Sequence, residues 1–97
     1  MSQLLHIDFY LNDQAGVETL IDFMTSSRTD METQGYKEIA HYVDQDNPLH
    51  LVYRVEWTSR DHYDKAMAKM FANQEIATML NTVLAEPATS TFLDKMD

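Results

Sequence analysis

Apolar and polar residues alternate from the start of the chain. Leu5, Ile7, Phe9 and Leu11 interleave with His6, Asp8 and Tyr10, the two-residue period of a strand with one apolar face. The period then changes. Val17, Leu20, Ile21, Met24 and Met31 recur at helical spacing, with Phe23 beside them, which predicts an amphipathic helix. Asn12 or Asp13 is placed to cap its start. Gly35 stands where a glycine closes a helix, before "YKEIAHYV" resumes as a strand.

That second strand runs into "DQDNP", a turn cluster of about five residues, and "LHLVYRVEW" follows as its hairpin partner. Thr58 is expected to cap the next helix, with Asp61 three residues on as a weak capping box. Tyr63, Ala66, Met67, Met70 and Phe71 form one helical stripe. Past a break near Asn73, Ile76, Met79, Leu80, Val83 and Leu84 form another. Pro87 ends the helical part, and "TSTFLDKM" predicts a short last strand.

The order is therefore β-α-β-β-α-β, with the second helical segment interrupted. This is the α+β, ferredoxin-like arrangement: a four-stranded antiparallel sheet with helices on one face. Right-handed crossovers put the helices on the same side and set the first and third strands together at the centre. No repeat, low-complexity tract or linker interrupts the chain, and 97 residues make one domain, 1–97.

In the third strand Leu49, Leu51, Tyr53, Val55 and Trp57 share one face, while His50, Val52, Arg54 and Glu56 share the other. The first strand divides the same way. The wholly apolar faces belong under the helices, where water is excluded along the strand. The opposite face carries His6, Asp8, Tyr10, His50, Arg54 and Glu56 with Leu4 and Val52. In a single subunit that face is solvated. In a homodimer stacked sheet on sheet it becomes the interior of a dimeric α/β barrel. Asp8 or Glu56 then needs Arg54 as counter-charge, since an unpaired buried charge is costly.

Composition narrows the function. A formal charge of −9 repels phosphate backbones and anionic membranes, so neither nucleic acid nor membrane is an expected partner. With no cysteine, disulfides, iron–sulfur clusters and a thiol nucleophile are excluded. No apolar run approaches the ~20 residues of a membrane helix. The opening "MSQLLHIDFYLN" lacks the basic region of a signal peptide, and a cytoplasmic location is expected. There is no phosphate loop, GxGxxG or GxSxG, so nucleotide cofactors and serine-hydrolase chemistry have no support. His6, His50, Asp8 and Glu56 can gather on adjacent strands. No close spacing such as HxxxH marks a metal site among them, and none is expected.

Several features together resemble the antibiotic biosynthesis monooxygenase family. They are the glycine before the second strand, the acidic hairpin "DQDNP", the "EW" ending the third strand, "TSRDHYDKAM" opening the helix, and "AEP" before the final strand. The resemblance spans nearly the whole chain in order and spacing. It implies a homodimer with a cleft between sheet and helices in each subunit. Some members are cofactor-free oxygenases of phenolic or anthrone-type rings, with a Trp near the end of the third strand and a Tyr on the next helix. Trp57 and Tyr63 match those positions. An Asn used by polyketide-acting members falls at Tyr53 here, and a helical His falls at Ala66. Haem-degrading members rely on an Asn in the first strand, a Trp in the second helix and a His in the third. "LLHIDFY", "DKAMAKMF" and "QEIATMLNTVL" have none of these, so haem degradation of that kind is not expected.

What the resemblance implies for the site is an aromatic substrate flanked by Trp57 and Tyr63, with Met31, Met67 and Met70 as an adaptable apolar wall. Phe9 and Tyr53, on the same sheet face, are further expected contacts. Histidine is the natural base near neutrality. His41 is the candidate, provided the second strand alternates with Ile39 and Val43 inward. His6 and His50 lie on the polar face, and His62 opens a helix. No cofactor is expected. From pattern alone, both aromatics also read as ordinary core. A non-catalytic binding or interaction protein, or an isomerase or dehydratase, fits the same scaffold. The deciding observation is whether an open cavity adjoins Trp57.

Overall fold

In the computed structural model, which describes residues 2–96, each change of period marks a change of element. Strand β1 (Gln3–Tyr10) leads to helix α1 (Gln14–Thr33), then to the hairpin β2 (Tyr36–Asp44) and β3 (Asn47–Trp57). Helices α2 (Arg60–Ala72) and α3 (Gln74–Val83) follow, and strand β4 (Thr89–Leu93) closes the sheet. The sheet order is β2-β3-β1-β4, antiparallel throughout, with β1 and β3 at the centre. Leu5 and Phe9 of β1 and Leu51, Tyr53, Val55 and Trp57 of β3 are all buried on the helix side, with Val17, Leu20, Ala66 and Val83 above them. Burying each such Val or Leu contributes about 1.5–3 kcal/mol, and this face is where most of the stability resides. No helix among the described residues is long and apolar enough to cross a membrane.

The helix ends follow local hydrogen bonding. Asp13, in extended conformation, accepts from the Gly16 N–H at 2.7 Å and caps α1. Asn12 acts across the fold instead. Its side-chain amide donates to the carbonyls of Thr82 (2.9 Å) and Leu84 (3.3 Å), tying the end of α3 to β1. Asn73 ends α2 and caps α3, its side-chain oxygen accepting from Glu75 and Ile76. Gly35 follows α1 at φ +98°, and its N–H donates to the Glu32 carbonyl at 3.2 Å. A Cβ there would stand 2.9 Å from Thr58 Oγ1 and 3.0 Å from His62 Cδ2. Gly35→Ala is therefore expected to cost about 2–3 kcal/mol, read as a lower urea midpoint at unchanged slope.

Three expectations are corrected. Ser59, not Thr58, caps α2, accepting from the His62 N–H. Thr58 is occupied elsewhere, since its N–H and its hydroxyl both reach the Gly35 carbonyl, at 2.9 and 3.3 Å. The hairpin turns on two residues, Gln45 and Asp46, while Asn47 and Pro48 already belong to β3. The phase of β2 also differs. Glu38 faces Val55 and Ala40 faces Arg54, so Ile39 is the extra residue of a bulge. Tyr36 and Glu38 lie on the helix side before it, and His41 and Val43 lie there after it. Ile39, displaced by the bulge, and Val43 are 52% and 56% exposed.

The helix-free face carries a linked set of side chains. His50 lies flat on Tyr10 with centroids 4.4 Å apart. Its Nδ1 is 2.9 Å from Asp44 Oδ2 and its Nε2 is 2.8 Å from Asp8 Oδ1. Both ring nitrogens thus face carboxylates, an arrangement fully bonded only when both carry protons. The hydrogen bonds to Asp44 and then Asp8 push the imidazole pKa up, and His50 in turn holds Asp44 below the usual carboxylate range. His6 Nε2 is 3.4 Å from Asp8 Oδ2. Arg54 reaches His6 at 3.4 Å rather than Asp8 or Glu56. Asp8 is already bound by the two histidines, which leaves Arg54 the ring nitrogen.

Candidate functional site

Strand parity sets Trp57, the last residue of β3, under the helices opposite Tyr36 of β2. Their rings meet edge to face at 5.4 Å. The short Thr58-Ser59 link then turns the chain back, and the first turn of α2 brings Tyr63 edge-on to Trp57 at 5.7 Å and 80°. Phe92 of β4 continues the series, 5.0 Å from Tyr63, and Arg60 lies 3.9 Å over the Phe92 ring. Edge-to-face pairs of this kind each add about 0.5–1.5 kcal/mol beyond burial and fix the ring planes.

These rings do not fill the space between sheet and helices. A cavity of about 440 Å³ lies there, within the range of small-molecule sites. Trp57, Tyr63, Met31, Met67, Met70 and Phe9 all line it, joined by Tyr36, Met24 and Leu80. A smaller recess of about 160 Å³ between α1 and the α2–α3 break shares Phe23, Met31 and Met70 with it. The wall is mostly aromatic, thioether and aliphatic.

Two expected site residues fall outside the cavity wall. Tyr53 is on the right face but sealed behind it, edge-on to Phe9 at 5.7 Å, and burial pushes its phenol pKa up. His41 stacks on Tyr53 at 5.1 Å, with its side chain 53% exposed and Nδ1 3.1 Å from Glu38 Oε1. Tyr53 is held between the Phe9 and His41 rings, although its cross-strand partner Ile7 lines the cavity. Among the described residues no His, Asp or Glu lines it, so no side chain there titrates as a base near neutrality. Tyr36 does line it, and burial, followed by the Glu38 charge, pushes its phenol well above the usual range. It stays a neutral hydroxyl.

The polar inventory of the wall is short. Tyr36, Tyr63, Ser27, Asn81 and Ser90 bring hydroxyl and amide groups, and Arg28 brings the single charge among the described residues. Ser27 is spent on the Phe23 carbonyl at 2.7 Å. Trp57 is the exception: it is 1% exposed, and its Nε1–H is the one buried side-chain polar atom among the described residues with no hydrogen-bond partner. Leaving a buried donor unpaired costs about 1–3 kcal/mol. Sequence reasoning missed Tyr36 and Arg28. Arg28 carried a signal, since it follows Leu20 and Met24 at four-residue steps and stands three before Met31, a lone cation within an apolar stripe.

No family model and no curated protein sequence matches the chain. Solved structures do match it end to end. An antibiotic biosynthesis monooxygenase superposes with a TM-score of 0.69 at 17% identity, covering 100% of both chains. SnoaB, a cofactor-independent oxygenase from Streptomyces nogalater, gives 0.73 at 15% identity over 99% of this chain and 94% of that one. The ActVA-Orf6 monooxygenase of Streptomyces coelicolor, solved with nanaomycin D, gives 0.73 at 15% identity over 99% and 88%. The chain has the fold of the antibiotic biosynthesis monooxygenases. Within that monooxygenase fold, identities this low carry architecture and no residue's role, so the chemistry rests on the cavity itself.

Proposed function

We propose that this chain is a cofactor-independent monooxygenase that oxidises a small phenolic or quinol-type compound in the cavity, working as a homodimer. The observation that carries the reading is the aromatic cavity itself, walled in part by Trp57, whose buried N–H has no partner among the described residues. A ligand oxygen supplies the acceptor that donor lacks once the side chains covering it give way, and Tyr36, with its neutral hydroxyl, packs its ring edge-on to the same indole. An electron-rich phenolate held there gives one electron to O₂. The radical pair joins to form a C–O bond, and loss of water from the resulting peroxide leaves the quinone. With no basic side chain on the wall, the substrate loses its proton through its own acidity. The protein orients the ring and stabilises the oxyanion.

Oxygen uptake with a panel of hydroquinones and anthrones in metal-free buffer tests this directly. Protein-dependent uptake matched by quinone that carries one oxygen atom from labelled O₂, without hydrogen peroxide release, supports the oxygenase. The base-free wall favours one competing reading, a binding protein on the same scaffold. Thermal stabilisation by these compounds without oxygen uptake would establish it instead. Product formed under strict anaerobiosis would point to an isomerase or dehydratase.

A further inference from the structure

Among the described residues, Arg28 is the only charged one on the cavity wall. It stands on the apolar stripe of α1, and its Nη2 donates to Glu38 Oε2 on β2 at 2.7 Å. A guanidinium has five N–H donors in a planar fork. The rest of the Arg28 guanidinium makes no hydrogen bond to a described residue. Glu38 is held from its other oxygen by His41 at 3.1 Å, so its carboxylate is positioned without consuming the rest of the Arg28 fork. On a chain with a formal charge of −9, a small anion is repelled everywhere except where a cation is fixed in place. Here the fixed cation adjoins an apolar chamber, at the side where Tyr36 also stands.

Building on the cavity as a ligand site, we infer that Arg28 is its specificity-determining residue, and that it selects ring compounds bearing a carboxylate over their neutral counterparts. The ring lies against Trp57, Tyr63 and the methionines, while the carboxylate shares the guanidinium with Glu38. Arginine suits this role because its fork matches the two oxygens of a carboxylate, which a lysine point charge does not. A purely structural Arg28, a strut from α1 to β2, would stabilise the fold and discriminate nothing.

Trp57 is the only tryptophan and lines the cavity, so its fluorescence reports occupancy. The test titrates naphthoic acid and its methyl ester into the wild type and two folded variants, Arg28→Met and Glu38→Gln. The wild type is expected to bind the acid about ten- to a hundred-fold more tightly than the ester, the worth of one charge-assisted hydrogen bond. Arg28→Met, which keeps an apolar stem, is expected to bring the two compounds level with ester affinity retained. Glu38→Gln removes the competing carboxylate and is expected to widen the preference for the acid. Equal binding of acid and ester by the wild type, or a preference that survives Arg28→Met, overturns the role of Arg28 and leaves the cavity reading standing. If neither compound perturbs Trp57 in the folded wild type, the ligand cavity itself is refuted, and this inference falls with it.

Discussion

Replacing Trp57 by phenylalanine is expected to lower oxygen-dependent turnover by about 10²–10³-fold, the usual loss when one oxyanion donor is removed. The reason it separates site from core is the state of the indole nitrogen. Trp57 is fully buried, with Tyr36 and Tyr63 edge-on to its ring, yet its N–H meets no acceptor. If the residue were only packing, phenylalanine would trade some lost contact against relief of an unpaired donor. Those terms offset to within about 1–2 kcal/mol, whereas Trp57→Ala would cost about 3–5. A folded variant that loses oxygen uptake while its urea midpoint hardly moves identifies the N–H as a group used on the substrate. Unchanged uptake in that variant would assign Trp57 to the core alone.

The sequence made the fold legible because its two periods are clean. Alternation in β1 and β3 set the sheet face and the residues that share it with Trp57, and the stripes of α1, α2 and α3 set what covers them. The phase of β2 was not legible. Its bulge at Ile39 is fixed by pairing with β3, and "EIAHY" contains no glycine or proline to announce it. The choice of Ser59 over Thr58 as cap was equally hidden. Two adjacent hydroxyls compete, and the Gly35 carbonyl, 23 residues from Thr58 in sequence, claims one of them.

The candidate site divides along the same line. Phe9, Met31, Trp57, Tyr63, Met67 and Met70 line the cavity; parity and helical spacing put them on the enclosed face, and only the resemblance pointed to a cleft there. Tyr53 and His41 share that face but not the cavity, since parity reports a side chain's face and says nothing of which neighbours, here the Phe9 ring against Tyr53, stand between it and the open space. Arg28 escaped notice because a long cation in an apolar stripe ordinarily buries its stem and keeps its head in water. Its importance lies in an exclusion visible only in three dimensions: no other charge among the described residues reaches the wall.

Introducing a charge at Val52 is expected to convert the proposed homodimer to monomers without unfolding them. Val52 sits mid-strand on the helix-free face, opposite Asp8 on β1 and Tyr42 on β2. In a single subunit this face is open, so Val52→Asp gains water as its solvent. The like charge across the strand is muted because Asp8 is bound by His50 at 2.8 Å and by His6 at 3.4 Å. In a sheet-on-sheet dimer the faces stand about 10 Å apart, and the new carboxylate is enclosed twice, once per subunit. Arg54 and His50 flank it by strand position, and both are engaged, Arg54 with His6 and His50 with Asp44 and Asp8. Removing an ion from water without a partner costs several kcal/mol, enough to shift the dissociation constant by about a thousand-fold or more. Light scattering at micromolar concentration is expected to give twice the 11.3 kDa chain mass for the wild type and the single mass for Val52→Asp. Circular dichroism should be unchanged between them. A wild type of single mass would refute the barrel outright, and a dimeric Val52→Asp would move the interface off this face, leaving the His50 cluster with water as its neighbour.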